Sequence, residues 1–305
     1  MIIGICTPCR AAKMGDVETR VKLLLGSASG ENRIPLGLEV VGPLSDFQTS
    51  AEEIVRNVAE AKKQGIERVV IHAPITRNNW REAPTNLSRS ESVEILNGVF
   101  DIANRIGARL VNAHFETFLT ADEMREFTDA KRNQILEKVS DNLRRIKKGT
   151  VGLSLENMPW PLMGDSYWCQ ADMIYEPVSV DPEEVARFAL QNGAGLTFDT
   201  CHWGTLGLSI SLKTAVQRVA YNLVHLHMSD VLGRWIDGSA RYKEGVVPGD
   251  GDLGQEVFYL LLEYLQDLED PVTITAEVND RDFKNPEESR LSLARIFEWL
   301  RIILP

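Results

Sequence analysis

The chain of 305 residues, 44% hydrophobic and 25% charged, has an ordinary globular composition, long enough for two average domains or one large α/β barrel. No apolar run approaches the ~20 residues of a membrane helix, and four cysteines are too few to form a disulfide framework in so long a chain. Forty-four acidic residues against 33 basic give a net charge of −11, which counts against nucleic-acid binding, an affinity drawn largely from neutralised phosphates.

The N-terminus, Met-Ile-Ile-Gly-Ile-Cys, enters a strand at 2–6 without the basic start and apolar stretch of a secretory signal, so a cytoplasmic protein is expected. Its first turn, Thr7-Pro8-Cys9-Arg10, lacks a G-x-G-x-x-G phosphate loop. A strand at 36–41 and a helix at 49–64, stopped by Gly65, come next, then a strand at 68–73 and a helix at 89–106, stopped by Gly107. A strand at 109–115, a helix at 121–148 and a strand at 151–157 follow. Asp181-Pro182 opens a helix at 181–192, with an N-cap and a proline at the first helical position. Strands at 195–200, 223–229 and 272–278 then alternate with helices at 209–220, 253–267 and 287–302. The basic run Arg144-Arg145-Ile146-Lys147-Lys148 ends a helix, where cations complement the dipole, and reads as a solvated terminus. Eight strand–helix units with no linker, repeat or low-complexity segment predict a single (β/α)8 barrel over 1–305. Two long loops follow strands, 158–180 with Trp160 and Trp168 and 230–252 with Arg241, Tyr242 and Lys243, and both are lid candidates.

Strand side chains alternate faces, so the apolar parity belongs against the helices and the other parity in the lumen. This sends Leu38, Val40, Val69, Ile71, Val111, Ala113, Phe115, Val151, Leu153, Leu155, Leu196, Phe198, Val224, Leu226, Met228, Val272, Ile274 and Ala276 outward. It sends Glu39, His72, His114, Glu156, Asp199, His225, His227 and Glu277 inward, near the C-terminal ends of their strands. His202 lies three residues past Asp199, so all five histidines gather at this rim. Crowded carboxylates repel one another and are costly to bury unpaired. A bound cation resolves this with an N/O ligand set, and the competing reading is a hydrogen-bonded polar lumen.

At these residues the sequence resembles the xylose isomerase-like superfamily of barrels, which holds sugar isomerases, ketose 3-epimerases, hydroxypyruvate isomerase and inosose dehydratase and is related to the apurinic endonucleases. The resemblance runs through Ile71-His72-Ala73-Pro74, Asn112-Ala113-His114, Leu155-Glu156-Asn157, Phe198-Asp199-Thr200-Cys201-His202, His225-Leu226-His227-Met228-Ser229-Asp230, Pro248-Gly249-Asp250-Gly251 and Ala276-Glu277. It implies a divalent metal ion, Mn²⁺ first and Mg²⁺, Co²⁺ or Zn²⁺ otherwise, held by Glu156, Asp199, His227 and Glu277. His227 is preferred to His225 because the family ligand precedes an acidic residue by three positions, here Asp230. His72 and His114 match endonuclease ligands for a further zinc that shares Glu156. The endonucleases' Asp-x-His in the loop after strand seven is missing from Arg241-Tyr242-Lys243-Glu244-Gly245-Val246-Val247.

The implied activity is a sugar, sugar-phosphate or polyol isomerase or epimerase that moves a proton next to a metal-bound carbonyl through an enediolate. Glu156 and Glu277 would exchange the proton from opposite faces. His202, Arg241, Lys243, Trp160, Trp168 and Glu39 are the substrate-binding candidates, and a homodimer is an expectation of the family. The alternatives are a zinc-dependent phosphodiester hydrolase of the endonuclease type, an inosose-type dehydratase and a non-catalytic binding barrel. Cys6 and Cys9, despite their C-x-x-C spacing, read as a lumen thiol and a loop thiol, and Cys201 is expected against the barrel wall with no chemistry.

Overall fold

In the computed structural model, residues 1–28, 34–75, 85–115, 118–120, 128–159, 173–175, 179–207, 209–233, 242–280 and 284–304 are described. Eight strands close a barrel: β1 (Ile2–Cys9), β2 (Leu36–Val40), β3 (Arg68–His72), β4 (Leu110–His114), β5 (Gly152–Glu156), β6 (Gly195–Asp199), β7 (Leu223–Met228) and β8 (Val272–Ala276). Each pairs in parallel with its sequence neighbours, and β1 closes the ring on β8. Parallel ladders need crossovers, and amphipathic helices supply them. Those described are α1 (Met14–Ser27), α2 (Leu44–Thr49), α3 (Ala51–Lys63), α4 (Glu91–Ile106), α5 (Asp129–Arg145), α6 (Pro182–Gln191), α7 (Thr200–Gly204), α8 (Leu212–Val219), α9 (Gln255–Gln266) and α10 (Glu287–Ile303).

Local signals set these boundaries as expected. Asp181 caps α6 by accepting from the Glu183 N–H, with proline at the first position. Gly107 ends α4 in the left-handed region, φ 61°. Arg144 and Arg145 stand in the last turn of α5, Arg144 paired with Asp141, in keeping with a solvated terminus. Helix α1 fills the first gap between strands, where the eight strand–helix units require a helix but the sequence gives no bounds. No side chain caps it, and its start signal is limited to Asp16 in the first turn.

The parity rule describes the barrel well. Leu38, Val40, Ile71, Ala113, Leu155, Phe198, Leu226 and Ile274 all join the main core between sheet and helices. Val224 is the exception. The β6–β7 register shifts between Leu196 and Thr197, a bulge that turns Val224 into the lower lumen, where it packs on Cys6, Val70 and Leu110. A Cβ on Gly195 would meet Val224 at 2.4 Å, so glycine makes room for the bulge. Cys6 is the lumen thiol that parity predicts. Cys9, expected in a loop, instead ends β1 and is buried in the outer core, because β1 runs three residues further than its apolar pattern.

The loop following β7 turns back as an antiparallel pair, Asp230–Leu232 with Lys243–Val246, and a second pair joins Phe118–Thr120 to Met173–Tyr175. Among the described residues, no helix is long and apolar enough to cross a membrane.

Candidate metal centre

Strand register brings the ionisable residues together. His114 stands opposite Glu156 across β4–β5, Asp199 opposite His227 across β6–β7, and Thr275, two residues before Glu277, opposite His227 across β7–β8. Donor atoms of Glu156, Asp199, His227 and Glu277 consequently lie within 4.8 Å of one another. His227 Nδ1 is 3.2 Å from Glu156, 3.6 Å from Asp199 and 2.5 Å from Glu277. His72, His114 and Glu156 make an adjoining cluster by the same measure, with His72 Nε2 3.4 Å and His114 Nε2 3.8 Å from Glu156 Oε2.

The supporting groups fix these side chains. Asn112 donates its amide to Glu156, and Ser154 and Thr197 extend the chain of hydrogen bonds behind it. Asn157 accepts from the Asp199 N–H and donates to the Asp199 carbonyl. Asp199 caps α7 by accepting from the His202 N–H at 2.8 Å, which aims the helix's first turn at the centre. The His202 ring donates through Nδ1 to the Asn157 carbonyl at 2.8 Å.

Below this centre sits Glu39. It lies 3.2 Å from His227 Nε2 and 3.6 Å from His225 Nε2, is 1% exposed, and does not reach the cavity. The expected substrate contact is therefore corrected. The two imidazoles of β7 hold the Glu39 carboxylate, which is not turned to the cavity. A carboxylate on the far ring nitrogen is the arrangement that orients a metal-bound imidazole.

Electrostatics reflect the crowding. Burial works against the charged form of every group here. It would raise Glu156, but His227 and His114, with hydrogen bonds from His227 and His72, hold that carboxyl well below its ordinary range. Glu39 is held low against burial by His227 and His225, and Asp199 against burial by His202 and His227. Burial opposes charge on His72, yet Glu156 raises its pKa to about 9; Asp199, Glu244 and Glu156 do the same for His202. The imidazoles thus stand in the field a cation would otherwise occupy. A set of three carboxylates and one imidazole with donor atoms mutually within 4.8 Å fits a hard or borderline divalent metal ion.

Above the centre opens a cavity of about 600 Å³, lined by Glu156, Asp199, His202, Glu277, Lys243 and Glu244. His72 and His114 also face it. Lys243 is exposed at its mouth. Trp160, Trp168 and Arg241 lie outside the described residues. Sequence reasoning passed over Asn112, although its lumen parity was readable two residues before His114, and Glu244, which no strand-end pattern marks. Cys201, assigned to the wall, lies within the same 4.8 Å span as Asp199 and His202 and borders the cavity, because α7 curls back over the strand end. Burial pushes its thiol well up.

The sequence signature described as xylose isomerase-like TIM barrel matches residues 36–302. The chain belongs to that family. Family membership accords with the closed eight-strand parallel barrel and the strand-end cluster described above.

Among solved structures, the barrel is similar to a xylose isomerase domain protein from Planctomyces limnophilus, at 19% identity and TM-score 0.65, covering 99% of this chain and 96% of that one. It is also similar to a D-psicose 3-epimerase solved with D-tagatose from Clostridium cellulolyticum, at 17% identity and TM-score 0.60, covering 100% and 99%. A xylose isomerase-like TIM barrel protein from Mycobacterium smegmatis, solved in complex with magnesium, matches at 14% identity and TM-score 0.58, covering 100% and 97%. At these identities the likeness establishes the fold. No curated protein matches the sequence.

Proposed function

We propose that this protein is a metal-dependent isomerase or epimerase of a small sugar or polyol. One observation carries the reading: donor atoms of Glu156, Asp199, His227 and Glu277 converge within 4.8 Å beneath a cavity large enough for a sugar. When bound, a divalent cation at these residues supplies polarisation of a substrate carbonyl and its neighbouring hydroxyl.

The chain's own groups then divide the remaining work. Glu277, 35% exposed, and Glu156, fully buried, both line the cavity, and in this reading they approach a bound sugar from different sides. One takes the proton from the carbon next to the carbonyl and the other returns a proton to the opposite face. His202, its ring fixed by the Asn157 carbonyl, presents its other nitrogen to a substrate oxygen. Lys243 at the mouth is placed to meet a distal hydroxyl. Glu39 holds His227 from behind and touches no substrate. The Mycobacterium relative solved with magnesium and the psicose epimerase solved with tagatose support a hard cation and a ketose, respectively.

A second reading rests on the adjoining His72–His114–Glu156 cluster, which could hold a further ion and would suit hydrolysis of a phosphodiester. Elemental analysis of the purified protein, before and after chelation, separates the two. One ion per chain, lost in E277Q, with turnover in a ketose screen, is the expected result. Two or three zinc ions per chain with cleavage of abasic DNA would replace it with the hydrolase. No ion after reconstitution with Mn²⁺ or Zn²⁺ would end both.

A further inference from the structure

The residues assigned so far leave one acidic group in the cavity without a task. Glu244 sits on the returning strand Lys243–Val246, which packs against α7 and brings the carboxylate beside His202 at the cavity wall. Its Oε1 is buried with no hydrogen-bond partner among the described residues. A buried carboxylate oxygen left unmatched is costly and uncommon, and calls for a partner that arrives from outside.

The position is built. Gly245 adopts a left-handed φ of 66°, and a Cβ there would meet the Asn279 side chain at 2.6 Å, so the chain must pass close to the loop following β8. Asn279 bolts the two together, donating through Nδ2 to the Glu244 carbonyl at 3.0 Å and through its backbone N–H to the Gly245 carbonyl at 2.9 Å. Asn279 is two residues past Glu277, so the clamp that sets Glu244 also fixes its placement relative to the proposed acid–base pair. Asp230 anchors the other strand of the same hairpin. The surrounding wall is acidic: Asp280 also borders the cavity, and its carboxylate is consumed by buried Arg20 at 2.8 Å and by Ser289.

Resting on the isomerase reading above, we infer that Glu244 is a specificity-determining residue that accepts a hydrogen bond from a substrate hydroxyl remote from the reacting carbons, and so selects neutral polyhydroxy substrates over their phosphorylated forms. A hydroxyl supplies the missing donor. A phosphate dianion has none to offer Oε1, and its charge would be brought into a pocket where burial already disfavours charge on Glu244.

The test uses the full-length protein reconstituted with Mn²⁺, in wild-type, E244A and E244Q forms. Each is titrated calorimetrically with D-tagatose, D-fructose and D-fructose 6-phosphate, with metal content and melting temperature recorded alongside. The wild type should bind at least one neutral ketose in preference to the phosphate. E244A should weaken that binding roughly ten- to a hundred-fold, the worth of a hydrogen bond to a charged group, at unchanged metal content. E244Q, which keeps an acceptor oxygen and loses the charge, should retain part of the neutral affinity and narrow the discrimination against phosphate. In turnover, the loss in E244A should appear in KM more than in kcat. E244A binding the neutral ketose as the wild type does, with metal in place, overturns the assignment of Glu244 alone. Preference of the wild type for the phosphate also overturns it. Metal-loaded wild type that binds none of the three overturns the isomerase reading and this inference together.

Discussion

Glu156 and Glu277 differ in kind although they share a centre. Glu156 is buried and its Oε2 already accepts from Asn112, with His72 3.4 Å away. Glu277 has no such enclosure and is 35% exposed, free to meet a substrate from the cavity side. E277Q and E156Q should each lower turnover by at least roughly a hundred- to ten-thousand-fold, the usual worth of a general acid or base, with loss of the ion adding to it. Circular dichroism should remain native. Near wild-type turnover in either variant, on a substrate the wild type converts, would rule out the two-carboxylate mechanism. Glu39 makes a different claim, since it touches His227 alone on that centre's ligand set. E39Q should weaken metal affinity about ten- to a hundred-fold with kcat largely preserved at saturating metal, as expected for a carboxylate behind a ligating imidazole. An unchanged metal titration would reduce Glu39 to a packing role.

At the scale of elements, the functional rim depends on one buried carboxylate. Asp230 accepts from the backbone N–H groups of Val231, Gly249, Gly251, Leu253 and Gly254. Pro248-Gly249-Asp250-Gly251 has its glycines for this purpose: Gly249 has φ 88°, and a Cβ on Gly251 would strike Asp230 at 2.5 Å. D230A should cost about 3 kcal/mol or more, since it strands several buried donors at once. It should also open the segment 243–254 to protease. A urea midpoint matching the wild type would show that the loop holds itself. That anchoring gives physical content to the acidic residue three positions after His227, which the sequence marks only as a family spacing. The eight strands were legible because parallel barrel strands must be apolar on the outer face, and parity alone then located seven inward ionisable strand ends. It failed at Val224 because a bulge inserts one residue without a compositional sign, whereas at Cys9 the strand boundary differed, because β1 outlasts its apolar run. Glu244 was invisible for another reason. Its place depends on a hairpin folding back over the barrel and on Asn279 receiving it, a contact between loops that no periodicity encodes.

On the scale of the whole molecule, the lumen couples protonation to stability and to metal. His72 and His202 rise from an ordinary 6.5 to about 9, both against burial, the first through Glu156 and the second through Asp199, Glu244 and Glu156. A histidine whose folded pKa is raised contributes stability that is complete below the unfolded value and is lost as pH climbs through the folded one. Chelator-treated protein should therefore melt at progressively lower temperature between about pH 6.5 and 9. A cation performs the same balancing of Glu156, Asp199 and Glu277, and it requires a deprotonated His227, whose ring these carboxylates hold well above its ordinary pKa against burial. Metal affinity should accordingly rise across this pH interval with release of protons, and the loaded protein should show a flatter melting profile than the chelated one. Differential scanning calorimetry at several pH values, with and without Mn²⁺, measures both slopes. Equal slopes in the two forms, or affinity that falls as pH rises, would mean that the imidazoles and the cation do not compete for the same field.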